Sequence, residues 1–223
     1  MRLLNIAIDG PAGAGKSSTA RLVANLLGYV YVDTGAMYRA VTWNMLQHGL
    51  TPDQRERLVD LVNQMIISLK PSPQGQQVFV GDFEVTSFIR SPEINRFVSQ
   101  VATIPEIRER LVGIQQRMAK DKGIVMDGRD IGTHVLPDAE LKIFLTASAR
   151  ERAIRRHAEL VDPTITLDEL EQEIVERDRM DTERDVSPLI QASDAILLDS
   201  TLMTRDEVVE KILHLCRLKM GGR

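Results

Sequence analysis

The sequence predicts an α/β protein built on a parallel sheet, and three observations carry that reading. Leu3–Ile8 is a short apolar run closed by Asp9-Gly10, the pattern of a buried strand. Ser17–Leu27 then carries helical spacing through Ala20, Val23, Ala24 and Leu27. A second apolar strand follows at Tyr29–Val32, so the chain opens on a β-α-β unit, whose strands run parallel with a right-handed crossover.

The later elements follow in order. Apolar runs at Ile124–Met126, Leu141–Leu145 and Ala195–Leu198, each flanked by helical segments, bring the expected sheet to five parallel strands. Helix starts are written in local chemistry. Ser148 with Glu151, Thr166 with Glu169 and Thr204 with Glu207 fit the S/T-x-x-E capping box. Thr51-Pro52 and Ser91-Pro92 each place a capping hydroxyl before a proline suited to the first helical position. Trp43, Met45 and Leu46 read as core positions of the helix after Tyr38. Ile66–Thr86 stands apart: it contains Lys70-Pro71-Ser72-Pro73-Gln74-Gly75, then Gln77–Val80 and Phe83–Val85, and reads as a small antiparallel meander. It is too short to form its own core and reads as an insertion.

Composition excludes several classes. With 223 residues, 43% hydrophobic and 27% charged, the chain suits one large domain, or one domain with insertions, rather than a disordered segment. Uncharged stretches such as Leu22–Val32 fall short of the roughly 18 apolar residues a membrane span needs. Leu3–Ile8 is also too short for a signal peptide. A lone cysteine, Cys216, cannot form an intramolecular disulfide and reads as an apolar packing residue. His48, His134, His157 and His214 show no metal-ligand spacing with it. A reducing cytoplasm is expected. The net charge of -4 argues against a nucleic-acid polymer as partner, so any anionic ligand must be held by local charge.

Gly10-Pro11-Ala12-Gly13-Ala14-Gly15-Lys16-Ser17 matches G-x-x-x-x-G-K-[ST] at every fixed position, between a strand and a helix as that motif requires. Glycines let consecutive backbone N–H groups point at phosphate oxygens, Lys16 adds a point charge, and Ser17 offers a hydroxyl to Mg2+. The helix that follows contributes its positive N-terminal end. The loop alone does not choose among GTPases, transport ATPases and small-molecule kinases. No N/T-K-x-D guanine-reading tetrapeptide and no L-S-G-G-Q transporter signature occurs. Arginines instead follow predicted strand ends: Arg39, Arg129, and Arg152, Arg155 and Arg156 on one helix. That edge of an open α/β sheet is where ligands bind, and guanidinium groups there suit a phosphorylated acceptor. Surface arginine on a helix is also common, and the alternating charges of Arg177–Arg184 also fit a solvated helix face laced with ion pairs. Asp127 is open to two readings, an acid beside Mg2+ or a turn residue before Gly128.

The run Ile8–Ser17, then Asp33-Thr34-Gly35-Ala36-Met37-Tyr38-Arg39, Asp127-Gly128-Arg129-Asp130-Ile131-Gly132-Thr133, and Arg177–Arg184 with Ser187-Pro188-Leu189, resembles bacterial cytidylate kinases over nearly the whole chain. The resemblance implies a P-loop nucleoside-triphosphate hydrolase-like core with a five-stranded parallel sheet, a small antiparallel β insertion and a helical lid. It implies one kinase domain: a core at about 1–65, 100–147 and 165–223, a monophosphate-binding insertion at about 66–99 and a lid at about 148–164. It implies transfer of the γ-phosphoryl group of ATP, with Mg2+, to CMP or dCMP, in a cytoplasmic monomer without membrane or nucleic-acid partners. The ATP-binding residues would be Gly10, Pro11, Ala12, Gly13, Ala14, Gly15, Lys16, Ser17 and Ser18. Lys16, Arg129, Arg152 and Arg156 would be catalytic, with Ser17 and Asp127 at the metal. Thr34, Arg39 and Arg129 would hold the acceptor phosphate, Ser99, Arg108 and Asp130 would face the cytosine, and Arg177, Asp181 and Arg184 the ribose and phosphate. The last three stand at i, i+4 and i+7, so on a helix they share one face, and a carboxylate between two arginines stays ionised. Thr34 replaces the serine of some members, and Ser17-Ser18-Thr19 stands where others have Gly-Thr; both keep a hydroxyl. The segment from Lys70 to Gly81 matches least well.

Overall fold

The computed structural model describes residues 3–72, 75–159 and 165–221. Pro73 and Gln74 of the expected meander, and residues 160–164 at the end of the segment expected as a lid, lie outside the described residues. In chain order the elements are β1 (Asn5–Asp9), α1 (Lys16–Leu27), β2 (Val30–Asp33), α2 (Thr34–Gln47), α3 (Arg55–Gln64), β3 (Ile67–Ser72), β4 (Gly75–Val80) and β5 (Phe83–Glu84). There follow α4 (Pro92–Val101), α5 (Pro105–Met118), β6 (Ile124–Gly128), a π-turn (Ile131–Val135), β7 (Leu141–Thr146), α6 (Ala149–Ala158), α7 (Leu167–Glu183), β8 (Ile196–Asp199) and α8 (Arg205–Gly221).

The five predicted strands form one parallel sheet in the order β2-β6-β1-β7-β8, each within two residues of its expected ends. Alternation along the strands separates two cores. Ile6, Ile8 and Val125 face α1 and α8, meeting Ala20, Val23, Val209, Ile212 and the fully buried Cys216. Ala7, Ile124 and Met126 face the opposite side, where Ile131 and Val135 cover them. Beyond lies a helical cluster in which Met37, Val41 and Met45 of α2 meet Leu58, Val98, Ile107 and Leu111. Burial pushes the Cys216 thiol up to about 11, as an inert packing residue requires. Met45 is core as expected, and Leu46 and Trp43 pack against the core from partly buried positions; Trp43 also stacks on the exposed Phe83, ring centroids 5.6 Å apart.

Ser91, Ser148 and Thr166 cap their helices through side-chain oxygens, and Thr166 with Glu169 closes the full box. Thr204 and Glu207 bond each other's backbone N–H in the same manner. Thr51-Pro52 does not start a helix. Gln54 N–H bonds the Thr51 carbonyl at 3.1 Å and Gln54 Oε1 accepts from Thr51 N–H at 3.0 Å, so the proline occupies a turn and α3 begins at Arg55. The small antiparallel sheet has the order β3-β4-β5. Lys70 and Pro71 belong to β3, with Pro71 opposite Gln76. β3 is an edge strand, where a residue without an N–H is tolerated. Val78, Val85 and Ile89 seat this unit on Ala36 and Ala40 of α2.

Two details fix where the phosphate loop leaves the sheet. Both carboxylate oxygens of Asp9, at the end of β1, accept backbone N–H groups of Ile131 and Gly132, at 2.8 and 2.7 Å. Gly10 adopts a φ of +145°, and a Cβ there would stand 1.9 Å from the Leu145 carbonyl oxygen of β7. Gly10→Ala is therefore expected to cost about 3 kcal/mol or more in urea unfolding, from backbone strain plus displacement of β7. Gly28→Ala, at a φ of +68° with nothing within 4 Å of the new methyl, should cost only about 1–2 kcal/mol. Equal losses would refute the steric account.

Candidate functional site

The loop after β1, the start of α2, the end of β6 and the inner faces of α4 to α7 enclose one cleft of about 900 Å3 at the carboxyl ends of the strands. At its donor end, Lys16 is the first residue of α1, and its Nζ donates to the Pro11 carbonyl at 2.6 Å. Burial, then Arg129, pushes the Lys16 ammonium well below its usual value; Asp127, Asp181 and Asp9 oppose this. Gly13 reaches a φ of +76°, so the loop curls over the helix N-terminus. Ala12, Gly13, Ala14, Gly15, Ser17 and Ser18 line the cleft with Lys16, while Gly10 and the buried Pro11 lie beneath it. Ser18 donates to the Gly15 carbonyl at 2.9 Å.

Asp127, at the fourth position of β6, gathers three elements. Its carboxylate accepts from Ser17 Oγ at 2.8 Å and Tyr31 Oη at 2.9 Å, and its carbonyl accepts from Thr34 Oγ1 at 2.7 Å. Burial, then the neighbouring Asp33, raises the Asp127 carboxyl to about 6. The adjacent hydroxyl and carboxylate are hard oxygen donors of the kind Mg2+ takes. No group of three or more metal-ligating side chains occurs among the described residues, so these donors fit a cation carried mainly by phosphate and water.

The middle of the cleft is crowded with guanidinium groups. Arg39, Arg129, Arg177 and Arg184 line it together with Asp181. Arg129 Nε bonds Asp181 Oδ2 at 2.7 Å. Burial alone would raise Asp181, but Arg129, Arg177 and Arg184 outweigh it and hold the carboxyl below its ordinary value, as the sequence spacing suggested. Burial, then Arg129 and Arg39, lowers Arg177 to about 10; burial, then Arg108, lowers Arg184. Burial also lowers Arg39, with Arg90 and Arg129 adding to it. The Nε atoms of Arg39, Arg108 and Arg177, and one Nη of Arg184, are buried without a hydrogen-bond partner. Mutually repelling cations with unspent donors call for an anion.

At the far end Arg108 and Asp130 form a buried pair, through an Arg108 Nη and Asp130 Oδ2, with Arg184 Nη2 4.0 Å from Asp130 Oδ1. Arg108 also lies over the Tyr38 ring and donates to the Ala102 carbonyl at 3.1 Å. Ser99 lines this end from α4.

The geometry corrects two expectations. Arg184 is not on the helix: α7 ends at Glu183 and Arg184 caps it in extended conformation, its Nε donating to Ser187 O at 2.5 Å. It still reaches the cleft. Arg152, expected to be catalytic, does not line the cleft; it is spent on Asp178 and on the Ala147 and Ala12 carbonyls. Arg156 does line it and makes no hydrogen bond to other described residues, whereas Arg155 is held by Ser200. Residues that sequence reasoning did not assign also converge here. Arg90 bonds Asp33 Oδ2 at 3.0 Å, and Gln76 reaches from β4 to the Tyr31 carbonyl and the Asp33 N–H, at 2.5 and 3.0 Å. Arg21 joins them over Tyr31. Only Arg90, beside the Ser91-Pro92 helix start, carried a readable hint.

The family model described as cytidylate kinase matches residues 6–218. The chain belongs to the cytidylate kinase family. A cytidylate kinase of Caldicellulosiruptor bescii is 51% identical over 217 residues, covering 96% of both chains. One from an Exiguobacterium species is 53% identical over 214 residues, covering 95% of this chain and 96% of its own. Among solved structures, a shikimate kinase from Bacteroides thetaiotaomicron shares the fold, with a TM-score of 0.50 at 14% identity over 97% of this chain and 100% of its own. No helix among the described residues is long and apolar enough to cross a membrane.

The buried Arg108–Asp130 pair has a measurable weight. Arg108→Met leaves Asp130 with only the more distant Arg184, and unfolding by urea should show a loss of about 3 kcal/mol. A loss below about 1 kcal/mol would mean the pair is no better than an exposed one.

Proposed function

We propose that this chain transfers the γ-phosphoryl group of ATP to CMP or dCMP, giving ADP and CDP or dCDP. One observation carries the proposal: a single cleft joins the phosphate loop to a crowded set of guanidinium groups, with the Arg108–Asp130 pair at the opposite end. Two phosphate sites thus face each other, as transfer between two nucleotides demands. The acceptor phosphate oxygen is already anionic, so no general base is needed. It attacks the γ-phosphorus in line while the bond to the β-phosphate oxygen breaks and ADP leaves.

The Gly10–Ser18 loop binds the donor phosphates through backbone N–H groups, and Lys16 places positive charge on them. Ser17 and Asp127 are the residues that would hold Mg2+. When bound, Mg2+ neutralises charge developing on the transferred group. Arg39 and Arg129, with Thr34, orient the acceptor phosphate, and Arg177, Asp181 and Arg184 its ribose and phosphate. Arg156, exposed at the cleft wall, is free to meet the transferred phosphoryl. Closure of the segment from about 148 to 164, and of the insertion from about 66 to 99, excludes water and limits ATP hydrolysis.

Cytosine offers an amino donor to Asp130 and ring acceptors to Arg108 and Ser99, whereas uracil sets a carbonyl oxygen against the carboxylate. This reading assigns ATP and CMP or dCMP as partners; the net charge of -4 supports small phosphates over a nucleic-acid polymer, and the reading takes the enzyme as a cytoplasmic monomer without a membrane partner.

A coupled assay with ATP and each nucleoside monophosphate should show CMP and dCMP as the preferred acceptors; preference for AMP or UMP would overturn the proposal. Lys16→Ala should lose at least about 3 kcal/mol of transition-state stabilisation, or about 150-fold in kcat/KM. Near-normal turnover would remove Lys16 from the mechanism. Asp130→Asn should narrow the ratio of kcat/KM between CMP and UMP, because an amide both donates and accepts; an unchanged ratio rejects the base contact.

A further inference from the structure

Arg152 is the most heavily committed arginine beside the cleft. Its Nε donates to Ala147 O at 2.9 Å, and its Nη1 and Nη2 bond the two oxygens of Asp178 at 3.0 and 2.5 Å. Nη1 also donates to the carbonyl of Ala12, within the phosphate loop, at 3.0 Å. The side chain is 6% exposed, leaving no face for a phosphate. A Cβ built on Gly13 would stand 3.2 Å from Arg152 Cβ, so the loop lies directly against this residue. Asp178 adjoins Arg177 and lies within one turn of Asp181, and both of those line the cleft from α7. Arg152 thus contacts the donor loop with one edge and the acceptor-lining helix with the other.

We propose that Arg152 is a positioning residue which, through Asp178, holds the phosphate loop and α7 in one fixed relation, so that donor and acceptor affinities depend on the same ion pair. Bidentate pairing needs a planar fork, and lysine's single ammonium cannot span Ala147, Ala12 and both Asp178 oxygens. A residue acting by charge alone on the transition state would be partly replaced by lysine. A positioning fork would not.

The experiment compares Arg152→Lys, Arg152→Met, Asp178→Asn and the double variant Arg152→Met with Asp178→Asn. It measures kcat, KM for ATP and for CMP, and ADP binding by calorimetry. Arg152→Lys should behave as Arg152→Met does, both weakening ADP binding and raising both KM values by about tenfold or more. Asp178→Asn should shift ADP and CMP affinities in the same direction, and the double variant should be within about twofold of Arg152→Met. A fall in kcat with both KM values and ADP binding unchanged, partly restored by lysine, would make Arg152 a transition-state contact and overturn the proposal. So would an Asp178→Asn enzyme that binds ADP normally. If Arg152→Met does not fold, Arg152→Lys and Asp178→Asn, which keep shape and volume, still separate a positioning fork from a transition-state contact. The CMP arm rests on the proposed reaction but the ADP isotherm does not, so failure of one is distinguishable from failure of the other.

Discussion

Asp127 is the point on which the rest of the site depends. Buried at the end of β6, it receives a hydroxyl from the phosphate loop, one from β2, and at its carbonyl one from the start of α2. Donor and acceptor elements are thereby fixed to the same residue of the central sheet. The cost is a carboxyl group desolvated beside Asp33, and the Lys16 charge with the hydroxyl hydrogen bonds from Ser17 and Tyr31 opposes it. The register of β6 between β1 and β2 places Asp127 opposite Ile8 and Asp33, so the sheet itself aims this residue.

Around that anchor the charge distribution inverts the sign of the whole molecule. The chain is acidic overall, with a net charge of -4, yet its cleft gathers arginines whose burial and mutual repulsion lower their proton affinity. Asp181 and Asp130 each neutralise only part of that charge. A folded state carrying such repulsion is less stable than it would otherwise be, and the missing stabilisation is recovered when an anion enters. Binding energy and stability are therefore linked in this cleft, and nucleotide affinity reflects relief of repulsion as well as new contacts.

The parts legible in the sequence were those where one local rule dominates. Buried parallel strands are largely apolar runs, broken here only by Asn5 in β1 and Lys142 in β7, which is why β1, β6 and β7 lay where expected. The phosphate loop and the caps at Ser148, Thr166 and Thr204 are encoded within a few residues. What escaped depends on long-range direction. Helical spacing put Arg152, Arg155 and Arg156 together but could not say that Arg152 turns beneath the loop. The i, i+4, i+7 spacing assumed a helix through Arg184, which ends one residue short. Pro71 is compatible with the expected meander because the strand carrying it is an edge. Gln76 has no motif, because its role is to reach another sheet.

That reach of Gln76 has a consequence for how the molecule coexists with other copies. Its side-chain amide takes up the Tyr31 carbonyl and the Asp33 N–H on the outer side of β2 as a neighbouring strand would. One acceptor and one donor on this border of the five-stranded sheet are thus taken up, without a sixth strand. The other border, β8, has no such plug among the described residues and shows Ile196 and Leu197 to solvent. The border occupied in this way is the one that carries Asp33 into the cleft, so the contact that covers the edge also steadies a cleft wall.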